Sequence, residues 1–305
     1  MVEEVPVRSV TTAQEAAIEG KEREVERTFR QAPVLNKSPL HGLWALTNRD
    51  LVKWYKNPIQ LIVSLIQPAV WLGLFGNAFN LGKFVPAAAF EQTFGSSNYI
   101  SYLGAGMLAF IILFTAAFSG MSVVWDRRFG FMNKALSTPV GRGSIVVGKI
   151  LQSTIRSLIQ AAIVLLIAVA LGMNTAHFGV LTMAGAFVLL FLMSFGLSSL
   201  FVMLALRSSD WQTQMALINL LNLPLLFASN AMLPIAIMPG WLQSVVKYNP
   251  VSYAVDGVRQ LLLGSASIPN YTVLAPLWGD FAVLTVFAVL LSGLGIVLSW
   301  KLLTK

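Results

Sequence analysis

Between Arg156 and Arg207 the chain runs for 50 residues without Asp, Glu, Lys or Arg. A helix needs about 20 apolar residues to cross a bilayer core. Inside that core the segment must also pair its own backbone N–H and C=O groups. The stretch therefore reads as two helices joined by the turn GMNTAHFG at 172–179, with spans at 152–173 and 180–206. Composition carries the point to the whole chain. It is 56% hydrophobic and only 11% charged, with a mean hydropathy of +0.72, whereas soluble domains run near a quarter charged. A soluble fold of 305 residues would leave too much apolar surface in water, so the expected class is an all-α integral membrane protein.

Four more spans follow from the same criterion, at 59–79, 100–124, 212–233 and 278–300. Six spans place both termini on one side. Eighteen of the 21 Lys and Arg then fall on that side, and only Lys83, Lys247 and Arg259 on the other. The excess of basic residues in cytoplasmic loops makes the first side cytoplasmic. The formal charge of +8 is thereby explained by loops, and no nucleic-acid partner is expected. Residues 1–58 contain no apolar run long enough for a signal peptide or a span. Residues 1–37 read as a cytosolic tail, with a charged helix at 11–31 that serves either as a solvated segment or as a partner contact. Residues 38–305 form the transmembrane domain.

Two segments look helical without spanning. SPLHGLWALTNRDLVKWYK (38–56) has Ser38 as N-cap and Pro39 at the first helical position. Leu40, Leu43, Trp44, Thr47, Leu51, Trp54 and Tyr55 share one face, and basic residues lie off it. Such a helix lies in the membrane interface, which makes lipid a partner, or packs on protein. On the outside, 238–264 reads as a hairpin of two short helices. Asn249 caps the second, Pro250 opens it and Gly264 closes it. Asp256 and Arg259, three apart, are placed to pair.

Catalytic constellations are absent from the sequence. His41 and His177 fall on opposite sides of the membrane and lack metal-ligand spacing. The chain has no cysteine, so disulfides and thiol nucleophiles are excluded. GSIVVGKI (143–150) follows the phosphate-loop pattern up to its last position, where Ile150 replaces the hydroxyl that would hold magnesium. Ion-coupled carriers keep ionisable groups inside the membrane, and the spans lack them at mid-depth. Their polar residues are neutral, among them Gln67, Asn77, Asn219, Asn222 and Asn230. These either bond helix to helix or line a substrate path; Asn219 and Asn222, three apart, are expected on one face.

DRRFGFMNKALSTPVGRGSIVVGK (126–149) lies between the second and third spans on the cytoplasmic side. It resembles the loop of type-2 ABC exporter permeases, matching at Asp126, Arg127, Gly130, Thr138, Pro139, Val140, Arg142, Gly148 and Lys149. NPVSYAVDGVRQLLLG (249–264) is similar to the outer motif of the same family. The resemblance runs from about residue 40 to the end and is strongest for daunorubicin-resistance-like drug permeases. Arg128 departs from it, standing where the family often has Glu.

The resemblance implies a coupling helix at 131–137 that docks on a separate ABC ATPase. Its contact residues would be Asp126, Arg127, Gly130, Phe131, Met132, Asn133, Lys134, Leu136, Pro139 and Arg142. ATP and magnesium would sit on that partner, and this chain would bind no cofactor. It also implies a second permease copy, identical or related, a location in the inner (plasma) membrane and outward transport of a drug, lipid or glycan. Lys149 would start the third span among lipid headgroups. The alternative class is a channel or secondary carrier that works without an ATPase.

Overall fold

The computed structural model describes residues 39–78, 86–131, 142–208 and 210–302, less the side chains of 39–41, 60–61, 77–78, 142 and 300–302. All regular structure among them is helical: α1 Pro39–Tyr55, α2 Pro58–Ala78, α3 Ala87–Phe94, α4 Tyr99–Arg128, α5 Arg142–Ala170, α6 Val180–Arg207, α7 Trp211–Phe227, α8 Gly240–Val246, α9 Pro250–Leu263 and α10 Leu277–Leu302. The stretches ending in α4, α5, α6 and α10 are long and apolar enough to cross a membrane. α2 carries a shorter apolar stretch, Ile62–Gly76. α7 has 17 residues, about 26 Å at 1.5 Å each.

Local chemistry sets the boundaries. Asn98 caps α4 by accepting from the Ser101 N–H at 2.7 Å. Asp210 caps α7 by accepting from the Thr213 N–H at 2.6 Å. Asn249 caps α9 through the Val251 N–H and also donates to the carbonyls of Leu225 and Ala228 at 2.7 and 2.6 Å. One side chain thus starts α9 and satisfies the carbonyls left over at the end of α7. Gly264 ends α9 with φ +65°, a conformation that costs a glycine little.

α4 is the centre of the bundle. Its apolar window is 83% buried, against 17% for α10, and α2, α5, α6, α7 and α9 all pack on it. Two of its glycines allow backbone to approach backbone. A Cβ on Gly106 would collide with the carbonyl of Ala231, and one on Gly120 with that of Phe201. Small residues at such crossings let dispersion contacts hold helices together where lipid removes the hydrophobic drive. α6 packs against α10, α4, α5 and α9, placing α10 on the outside of the bundle.

Three features differ from the sequence expectation. α7 ends at Phe227 rather than at 233, leaving Asn230 beyond the helix. α5 begins at Arg142, ten residues before 152, and Ile145, Val146 and Lys149 of that added stretch are buried against protein. α3 was not expected: Phe90 and Phe94 stack at 4.5 Å and bury against Tyr102, so this helix is made by tertiary contact rather than by apolar length.

Candidate functional site

The cytoplasm-proximal site expected from the sequence begins with α1. Thr47 and Trp54 bury while Trp44 and Tyr55 of the same apolar stripe stay exposed, so α1 is held by protein on part of that stripe. Its partner is α5. The Thr47 hydroxyl donates to the carbonyls of Leu43 and Gly148. Three residues on, Asp50 accepts from the Lys149 ammonium at 2.6 Å, and Asp126 at the end of α4 lies 2.5 Å from the same nitrogen. Arg49 joins both carboxylates, at 2.5 Å from Asp50 and 3.3 Å from Asp126. Two acids and two bases from three helices form one network, with Lys149 only 6% exposed.

Lys149 is thus placed differently from the expectation that it meets lipid headgroups. Two carboxylates draw it inward, because a buried ammonium needs paired anions. The GSIVVGKI stretch lies within α5. Its backbone N–H groups past the first turn serve the helix, whereas a phosphate loop presents N–H groups to the ligand.

Phe131, at the head of the expected coupling segment, lies beneath Arg49, whose guanidinium carbon is 3.6 Å from the ring centroid, and Lys53 is 5.7 Å from it. Arg127 is partly buried, and Gly130 sits at φ +71° with open space around it. Met132, Asn133, Lys134, Leu136 and Pro139 lie outside the described residues, as does the side chain of Arg142.

The residues assigned to a substrate path are not brought together. Gln67 lines a cavity of about 560 Å³ between α1, α2, α4 and α5. Asn222 is buried, whereas Asn219 is exposed. Residues three apart on a helix differ by about 60°, enough to put one inside a helix contact and its neighbour outside, so the expectation of a shared face fails. Asn230 lines a second cavity of about 230 Å³. Asn77 has no described side chain. Other neutral polar groups bond helix to helix: Ser157 with Ser194 at 2.6 Å, Ser198 to Ser153 at 2.9 Å and Thr115 to Gln160 at 2.7 Å.

The outer hairpin has the two helices, the Asn249 cap and the Pro250 start expected for it. The pairing of Asp256 with Arg259 is not formed. Arg259 is fully buried and donates to the carbonyls of Asn230, Tyr102 and Ala231 at 2.8, 3.2 and 3.1 Å. Its guanidinium carbon lies 3.6 Å from the Tyr102 ring centroid, and the Tyr102 hydroxyl donates to Asn230 at 2.9 Å. Three carbonyls take up the two terminal nitrogens of the guanidinium and a ring covers its face, more acceptors than a single carboxylate offers, while its Nε is buried without a partner. Asp256 turns the other way and accepts from the N–H of Leu274 at 2.9 Å and from Gln260 at 3.0 Å. The Gln260 amide also donates to Asp280 at 2.9 Å. Burial pushes the Asp256 carboxyl above its ordinary range, partly opposed by those N–H bonds.

Asp50, Arg156, Tyr102 and Gln260 were not singled out as site residues by sequence reasoning. For Arg156 a signal existed: Lys149, Gln152 and Arg156 at i, i+3 and i+7 put a polar stripe on an otherwise apolar helix.

A helical bundle with four helices long and apolar enough to cross a membrane defines a multi-pass membrane protein. Its residues 41–263 match the family of ABC-2 type transporters, and the chain belongs to that family. It is 32% identical over 264 residues to a proposed transport permease, ycf38, of Porphyra purpurea, covering 86% of this chain and 88% of that one. The ycf38 protein of Cyanophora paradoxa is 33% identical over 73% of this chain and 74% of its own length. The daunorubicin resistance ABC transporter permease protein DrrB1 of Streptomyces coeruleorubidus is 26% identical over 79% and 80%. Members of the family are membrane transport subunits of ABC systems, in which ATP hydrolysis belongs to an ATPase partner.

Proposed function

We propose that this chain is the permease subunit of an ATP-driven exporter. In this reading α2, α4, α5, α6, α7 and α10 are six spans, both termini are cytoplasmic, and the membrane is the inner (plasma) membrane. Two permease copies flank the path and two ATPase chains bind beneath. Residues 131–142 transmit the closure of the ATPase pair, and Asp126, Arg127 and Gly130 hold the segment at its base. ATP and magnesium sit on the partner. The cargo class is an amphipathic drug, lipid or glycan. Relatives named for daunorubicin resistance and, in Mycobacterium tuberculosis, for doxorubicin resistance support the first of these.

The observation that carries the reading is the Asp50–Lys149–Asp126 network. It ties the interface helix to the two helices that flank the coupling segment, so a pull on that segment reaches α1, α4 and α5 together. Its pairs are largely buried, and burial screens them less than solvent would. A displacement of one member therefore carries the others. The test is crosslinking from the coupling segment. In the cysteine-free chain, Leu136→Cys should form an adduct with a co-purifying ABC ATPase, and Ser267→Cys should not. No adduct from any position in 132–141 would overturn the proposal.

A further inference from the structure

The cavity between α1, α2, α4 and α5 has a lining of two kinds. Phe110, Phe114 and Phe118 line it from α4 at four-residue intervals, so they form one face about 12 Å long; the first two rings lie 4.4 Å apart. The lining also carries charge. Asp50, Asp126, Lys149, Lys53 and Arg156 all line the cavity. The two carboxylates are taken up by Lys149 and Arg49. Lys53 and Arg156 face no carboxylate among the described residues, which leaves the cavity with two uncompensated positive charges.

Two donors in this lining lack acceptors. The Trp54 indole N–H is buried without a partner, and so is Nε of Arg156. They are neighbours, the Arg156 guanidinium carbon lying 5.5 Å from the Trp54 ring. Arg156 is seven residues past Lys149 on α5, about 10 Å along the helix. A cation at that depth is costly unless an anion meets it, and such residues mark binding sites in membrane proteins. Hydrogen bonds close another part of the lining: Thr115 donates to Gln160, and Gln160 to Ser64 at 2.5 Å.

We propose that this cavity binds an anionic amphiphile. Its headgroup oxygens accept from Arg156 and Trp54, Lys53 supplies further attraction, and its apolar chain lies along Phe110, Phe114 and Phe118. The volume of about 560 Å³ accommodates a headgroup and part of one chain. The site holds equally for a resident lipid and for a free amphiphile, and it stands apart from whether its occupant is exported.

Tryptophan quenching tests it, since Trp54 and Trp125 line the cavity. The full chain is reconstituted in phosphatidylcholine vesicles and titrated with phosphatidylglycerol carrying dibrominated chains, with dibromostearate, and with dibrominated phosphatidylcholine. All three probes quench the exposed tryptophans in proportion to their mole fraction; a saturable component above that, given by either anionic probe and not by the zwitterionic one, is expected. The lipid and fatty-acid arms separate the two sources of the anion. Arg156→Gln should raise the half-saturating concentration about tenfold, the effect of one charge-assisted hydrogen bond, and Arg156→Lys should recover most of it. An equal saturable component with anionic and zwitterionic probes, or unchanged saturation in Arg156→Gln, would overturn the site. Should Arg156→Gln fail to fold, the comparison of probes on the unsubstituted chain decides by itself.

Discussion

The Lys149 ammonium lies 2.6 Å from the Asp50 carboxylate across 99 residues of sequence, locking α1 to the first half of α5. Removing the cation leaves two largely buried acids to share Arg49 alone. Lys149→Met should therefore cost about 3 kcal/mol or more, seen as a lower unfolding midpoint of the purified chain. Asp50→Asn removes charge but keeps an acceptor and should cost less. The double variant should be less than additive, since the two residues share one interaction. Full additivity would mean that the contact contributes nothing.

The six-span arrangement is tested by labelling, because the chain contains no cysteine. Ser97→Cys and Ser267→Cys, both exposed, should react with an impermeant thiol reagent from outside intact cells. Asn48→Cys, exposed on α1, should react only after the inner face is opened. Labelling of position 267 from the inside alone would reverse the topology.

Arg259 gathers the carbonyls of Asn230, Tyr102 and Ala231. Arg259→Met should destabilise by about 3 kcal/mol, measured as the loss of folded protein on heating. Arg259→Lys should not rescue, because a single ammonium does not reproduce the guanidinium fork. A wild-type midpoint for the methionine variant would refute the clamp.

Asp256 gives a pH dependence of definite sign. Burial raises its folded-state affinity for a proton above the ordinary carboxyl, whose value is 3.8. Its share of stability is therefore present at low pH and lost as pH rises through the folded-state value. The unfolding midpoint should rise as pH falls from neutral toward about 4, and Asp256→Asn should flatten that slope. Asp280 shares Gln260 with Asp256 and leaves a residual slope. An unchanged slope in the asparagine variant would contradict the assignment.

Particular residues show why some features were legible in sequence and others were not. Asn249, Pro250 and Gly264 bound α9 through local chemistry, so its limits could be read directly. The charge-free run after Arg156 located α6 for the same reason. Lys149 differs in kind: the acids meeting it come from α1 and α4, and no local pattern encodes that meeting. Arg259 and Asp256 had the right spacing to pair, yet carbonyls of Tyr102, Asn230 and Ala231 offered the guanidinium better geometry. α3 forms because Phe90 and Phe94 find Tyr102, a contact invisible to apolar length.

Energy coupling is reached most directly by measuring ATP binding and hydrolysis in lipid. The chain is assayed alone and with the ABC ATPase that co-purifies with it. The lone chain should neither bind nor hydrolyse ATP. The complex should hydrolyse it, and cargo should move only when that partner is active. Hydrolysis by the lone chain, or uphill transport without the ATPase, would contradict a permease powered by a separate subunit.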